Sequence, residues 1–68
     1  MQTFADFVKW AGGVRAAARL LNQSPSNVSR VANRLQALTV DTAKAAQLAS
    51  SGVFSWSQLI DNHHRKAA

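Results

Sequence analysis

Breaks in the chain constrain its fold more than its apolar content does. Gly12-Gly13, Asn22 with Ser24-Pro25, and Ser50-Ser51-Gly52 divide it into short segments, each with apolar residues at helical spacing. Glycine takes the left-handed conformation that ends a helix at little cost, and asparagine is the next best. Serine followed by proline restarts a helix, as N-cap and first helical residue. Thr3 with Asp6 three residues later fits a capping box, and Phe4, Phe7, Val8 and Ala11 follow on one face. Val14, Ala17, Ala18 and Leu21 repeat that spacing in a second helix. A third is expected to start at Ser24-Pro25 and to run through Val28, Val31, Ala32, Leu35 and Leu38. A fourth is expected from Asp41 or Thr42, capped by either, to Ser50. Ser55 with Gln58 is a second capping-box signal, opening a last helix that carries Trp56, Leu59 and Ile60. Val53 and Phe54 between serine and glycine turns are too short a run for a strand.

Size limits what such helices can build. A chain of 68 residues holds one core, and domains of this size bury only about 60% of the surface their unfolded chains expose. Cysteine is absent, so neither disulfides nor thiolate-bound metal supplement that core. The residues divide into a domain over 1–62 and, from His63 onward, a basic disordered tail over 63–68. No apolar run approaches the roughly 18 residues of a membrane span, and the first residues lack the basic flank and apolar block of a signal peptide. A cytoplasmic protein is the expectation.

Charge is the first feature that points to a partner. Eight Lys and Arg oppose three Asp, there is no Glu, and the net charge is +5. Asp6 and Asp41 bracket a stretch holding Lys9, Arg15, Arg19, Arg30 and Arg34 with no acid between them. Such a contiguous basic half suits a polyanion.

Around Asn22 the helical signals acquire a specific register. A helix-turn-helix joins two helices at a steep angle through a turn of three or four residues. It needs a small residue where the helices cross, which is Ala18, and a left-handed exit, which is Asn22. It also needs apolar residues facing back from the second helix, which are Val28 and Val31, with Leu21 completing the shared core. With Val28, Val31 and Leu35 inward, Ser26, Ser29, Arg30 and Asn33 point outward, with Asn27 and Arg34 at the sides. These are small donors and acceptors plus arginine, the side chain suited to guanine O6 and N7 in the major groove. The expected base contacts are Ser26, Asn27, Ser29, Arg30 and Asn33. Arg15, Arg19, Ser24 and Arg34 are expected on the DNA backbone. The fold expectation is therefore all-α, a compact bundle of about five short helices containing a helix-turn-helix.

Arg15-Ala16-Ala17-Ala18-Arg19-Leu20-Leu21 followed by Asn22-Gln23-Ser24-Pro25-Ser26-Asn27-Val28-Ser29-Arg30 resembles the helix-turn-helix of small phage Cro and repressor proteins. It is similar as well to the short Cro-like YdaS proteins of prophages. The Ser24 to Arg30 stretch also resembles the LysR-type regulators, although Thr39 to Ser51 reads as another compact helix where those have a wing and a linker helix. Asn22 stands where the family usually has glycine and Gln23 where it has an apolar residue, so a more polar turn is expected. The resemblance covers about Phe7 to Leu38 and implies sequence-specific operator binding and transcriptional repression.

Other chemistries lack their parts. Asp61, His63 and His64 offer no metal-ligand spacing, the serines have no base and acid to form a triad, and Gly12-Gly13 is no phosphate loop. The expectation is a non-enzyme without metal, cofactor or small-molecule substrate. Trp10 reads as a lid on the core. Phe54, Trp56, Leu59 and Ile60 read as partial core, with an exposed remainder forming a homodimer interface on an inverted-repeat operator. The alternative function is a protein-interaction module, antitoxin- or antirepressor-like, using the same helices against an acidic protein.

Overall fold

Four left-handed residues end four helices in the same way. The computed structural model describes residues 2–64, with helices α1 (Phe4–Ala11), α2 (Val14–Leu21), α3 (Pro25–Ala32), α4 (Val40–Ala49) and α5 (Trp56–His64). Gly12, Asn22, Arg34 and Ser51 follow the first four helices with φ of 107°, 56°, 61° and 53°. At each, paired bonds tie off the last free carbonyls: Gly13 N–H to Val8 O, Gln23 to Ala18, Leu35 to Arg30 and Gly52 to Gln47, all at 2.9 Å. The residue before each donates to a carbonyl three positions back, which completes a Schellman motif. Only at Gly12 is that conformation free of side-chain strain.

The helix starts are equally explicit. Thr3 and Asp6 form a reciprocal capping box, Asp6 N–H to Thr3 Oγ1 at 3.1 Å and Thr3 N–H to Asp6 Oδ2 at 3.2 Å. The Thr3 backbone N–H, and then its hydroxyl, hold the Asp6 carboxyl below its ordinary value. Ser24 caps α3, with Pro25 opening the helix. Thr39, rather than Asp41 or Thr42, caps α4, its Oγ1 accepting from Thr42 N–H at 3.2 Å. The Ser55–Gln58 box does not form. The Ser55 hydroxyl meets Ser57 Oγ at 3.1 Å, while Gln2 Oε1 accepts from Ser55 N–H and Gln47 Oε1 from Trp56 N–H. The start of α5 is thus capped by glutamines from distant parts of the chain.

All regular structure among the described residues is helical, as the periodicity predicts. Helix α2 packs against α1, α3 and α4, and α5 against α4. Close approach is possible because α2 and α4 meet the core with alanine: Ala17, Ala18, Ala43 and Ala46 are all buried. Aromatic rings fill the other end, where Phe54 meets Phe7 edge-on at 5.7 Å and Trp10 at 6.0 Å, and Trp10 stacks on Phe7. Among the described residues, no helix is long and apolar enough to cross a membrane.

Several expectations are corrected. Helix α3 stops at Ala32, because Arg34 turns left-handed, so Leu35 is 76% exposed rather than inward. Leu38 is buried, but from the connection to α4. Phe54 and Leu59 are core residues with 7% and 0% exposure, so neither offers a face to a second copy; Trp56 and Ile60 are half-buried. His63 and His64 belong to α5 and not to a tail. The buried His63 ring pairs through Nε2 with Gln36 O at 3.0 Å. The rest of the expected tail, 65–68, lies outside the described residues.

Candidate nucleic-acid interface

Helix α3 leaves the turn Asn22-Gln23-Ser24 with its orientation set from both sides. Val28 and Val31 are buried against the bundle, and at about 100° per residue this turns Ser26, Arg30 and Asn33 away from it. All three are exposed, and Ser29 is half-buried beside them. Asn33 closes the helix, its Nδ2 donating to Ser29 O at 3.0 Å. No acid occurs on α2, on α3 or in the turn between them.

The cations of the basic half, Lys9, Arg15, Arg19, Arg30 and Arg34, are exposed. Arg15, Ala18 and Arg19 from α2, Asn22 and Gln23 from the turn, and Pro25 from α3 line one open cleft of about 370 Å³. The two guanidinium groups give it donors that a phosphate-sized anion takes. Arg34 is not part of this surface on α3. It sits past the helix end, and its Nη2 donates to Asn62 O of α5 at 3.3 Å.

Searches among protein-family models, curated proteins and solved structures find no match for this chain.

Asn27 is the expected base contact that the geometry places differently. Its Nδ2 donates to Gln23 Oε1, and its Oδ1 accepts from Gln36 Nε2. Gln23 in turn donates through Nε2 to Thr42 Oγ1 at 2.8 Å, which also accepts from Thr39 Oγ1 at 3.0 Å. Each end of the Asn27 amide already holds one partner, which fixes its orientation and leaves one N–H and one carbonyl lone pair beside the line. The polar turn expected from Gln23 is therefore a tie between α3 and α4. Gln36 and Thr42 were invisible as site residues in the sequence, because their partners lie nine and nineteen positions away.

Proposed function

We propose that this protein is a sequence-specific DNA-binding transcriptional regulator of the Cro-like repressor kind. In this reading α2, the Asn22-Gln23-Ser24 turn and α3 form a helix-turn-helix, and α3 enters the major groove. The observation that carries it is the acid-free outer face of α3, with Ser26, Arg30 and Asn33 exposed, beside the cleft of Arg15 and Arg19. Side chains of these types read base edges, and arginine takes guanine O6 and N7 in a bidentate pair. The cleft receives a backbone phosphate, which sets the register of the protein on the duplex without reading sequence. Arg34, tied to α5, adds to the attractive field and makes no assigned contact.

The reading extends to a homodimer on an inverted repeat, in the cytoplasm of a bacterial or phage-infected cell. Self-association would draw on the half-buried Trp56 and Ile60, since Phe54 and Leu59 are consumed by the core.

Selection of bound sites from a random duplex pool tests the proposal, followed by affinity measurements at several salt concentrations. The expected outcome is one enriched sequence, with log K falling against log salt by about 0.9 for each phosphate neutralised. No enrichment and an affinity indifferent to salt would refute it, and would favour a protein partner.

A further inference from the structure

Resting on the DNA-binding reading above, we infer that Gln36, in the connection after α3, reads an adenine, and that Asn27 is a positioning residue that holds it ready. Four side chains make one hydrogen-bonded line: Gln36 donates to Asn27, Asn27 to Gln23, and Gln23 to Thr42. The direction of donation decides what remains at the open end. Gln36 spends one Nε2 hydrogen on Asn27 Oδ1, so its second N–H and its Oε1 stay available on an exposed side chain. One donor and one acceptor on a planar amide match N7 and N6 of adenine in the major groove.

Position agrees with that chemistry. Asn27 and Arg30 are three residues apart on α3, hence neighbours on its surface, so an amide resting on Asn27 lies on the Arg30 side of the helix. The segment that carries Gln36 is pinned at the backbone. Leu35 N–H donates to Arg30 O at 2.9 Å, and the buried His63 holds Gln36 O at 3.0 Å. A long exposed side chain normally loses rotamer freedom when it binds; here the line of amides has removed much of that freedom in the free protein.

The test measures affinity of the full chain for its selected site, for every single-base variant of that site and for random duplex, with a thermal melt of each protein variant. Wild type should discriminate one A·T pair in each half-site by about tenfold, within the range of a bidentate amide contact. Gln36→Ala should abolish that preference while keeping the guanine preference and the affinity for random DNA. Asn27→Ala should abolish the same preference, and the double variant should lose nothing further. Asn27→Asp keeps an oxygen for Gln36 Nε2 and, with the Gln23 amide turned over so that its Nε2 donates to the carboxylate and its Oε1 accepts from the Thr42 hydroxyl, should retain the adenine preference, at a lower affinity for all DNA. That rescue also serves if Asn27→Ala fails to fold. Equal loss on operator and random DNA in Gln36→Ala would assign Gln36 to the backbone and overturn the inference, as would unchanged base preferences. Loss in Gln36→Ala with none in Asn27→Ala, or loss in Asn27→Asp, would overturn the positioning role. A wild type without any base preference removes the DNA reading itself, and this inference with it.

Discussion

Replacing Phe54 by alanine tests where the stability of this small domain resides. The ring is 7% exposed and meets both Phe7 and Trp10 edge-on. Truncating a buried phenylalanine costs about 3–5 kcal/mol, part of it the cavity left behind, and the two aromatic pairs hold about 0.5–1.5 kcal/mol each beyond their buried area. Set against this, 68 residues at typical values support a total stability of roughly 3–10 kcal/mol. The single substitution therefore removes between a third of the stability and all of it. In a domain of this size each kcal/mol moves the melting temperature by about 4–8 °C, so Phe54→Ala should melt at least about 12 °C lower or be unfolded at room temperature. Trp56→Ala, which removes a half-buried ring lying under Lys44, should cost distinctly less. Circular dichroism melts at two well-separated protein concentrations measure both. A Phe54→Ala variant that stays folded as a monomer, with wild-type melting, would show that the ring serves an interface and that the core assignment is wrong.

Ala18→Glu places a charge at a site 3% exposed, where overpacking alone costs about 1–3 kcal/mol, and the variant should be unfolded by circular dichroism. Ser51 is exposed and left-handed at φ 53°, so Ser51→Gly should relieve backbone strain and raise stability in urea by about 1 kcal/mol. Because folding lowers the Asp6 pKa, its contribution is complete above the ordinary carboxylate value of about 3.9 and is lost as pH falls through the folded value. The melting difference between wild type and Asp6→Asn should therefore be largest near neutral pH and shrink below about pH 4. Arg30→Ala should cost about 1–3 kcal/mol on the selected site and relax preference at one position per half-site, as competition binding against single-base variants would reveal.

Local chemistry explains which elements were legible. Gly12, Asn22 and Ser24-Pro25 are residue types whose backbone preferences match their roles, so the ends of α1 and α2 and the start of α3 follow from sequence. Arg34 carries no such preference. The apolar spacing Val28, Val31, Leu35, Leu38 runs straight across it, which is why a longer third helix was expected. What stops the helix is tertiary: Arg34 is bonded to Asn62, the next carbonyl but one is held by His63, and Leu38 turns into the core. In the candidate site the same division holds. The outward set Ser26, Arg30 and Asn33 follows from helical period once Val28 and Val31 are inside. The commitment of Asn27 does not, since it depends on amides that the fold alone brings together. The caps of α5 were missed for that reason too, because Gln2 and Gln47 supply oxygens that the local Ser55–Gln58 pattern does not use.

The early end of α3 bears on how such a surface would read DNA. Eight residues at 1.5 Å rise make a helix about 12 Å long, which spans between three and four base-pair steps of about 3.4 Å. In the proposed reading, one helix of that length, with Asn27 holding Gln36, leaves Ser26, Ser29, Arg30 and Asn33 for base edges. Each good bidentate contact contributes about 1–3 kcal/mol of discrimination, whereas useful specificity over random DNA needs about 4–10 kcal/mol. Of these four only Arg30 and Asn33 can pair bidentately, and Asn33 already closes the helix, so together they fall at the lower edge of that range. Two physical routes make up the difference. A second copy doubles the number of contacts, and a side chain from outside α3 extends the reading surface beyond the helix end. On the proposed reading the left-handed Arg34 would serve the second route, because by turning the chain back toward Asn27 it brings Gln36 to the flank of the helix that it terminates. A continuous third helix through Leu38 would have carried Gln36 away from Asn27 by more than two turns.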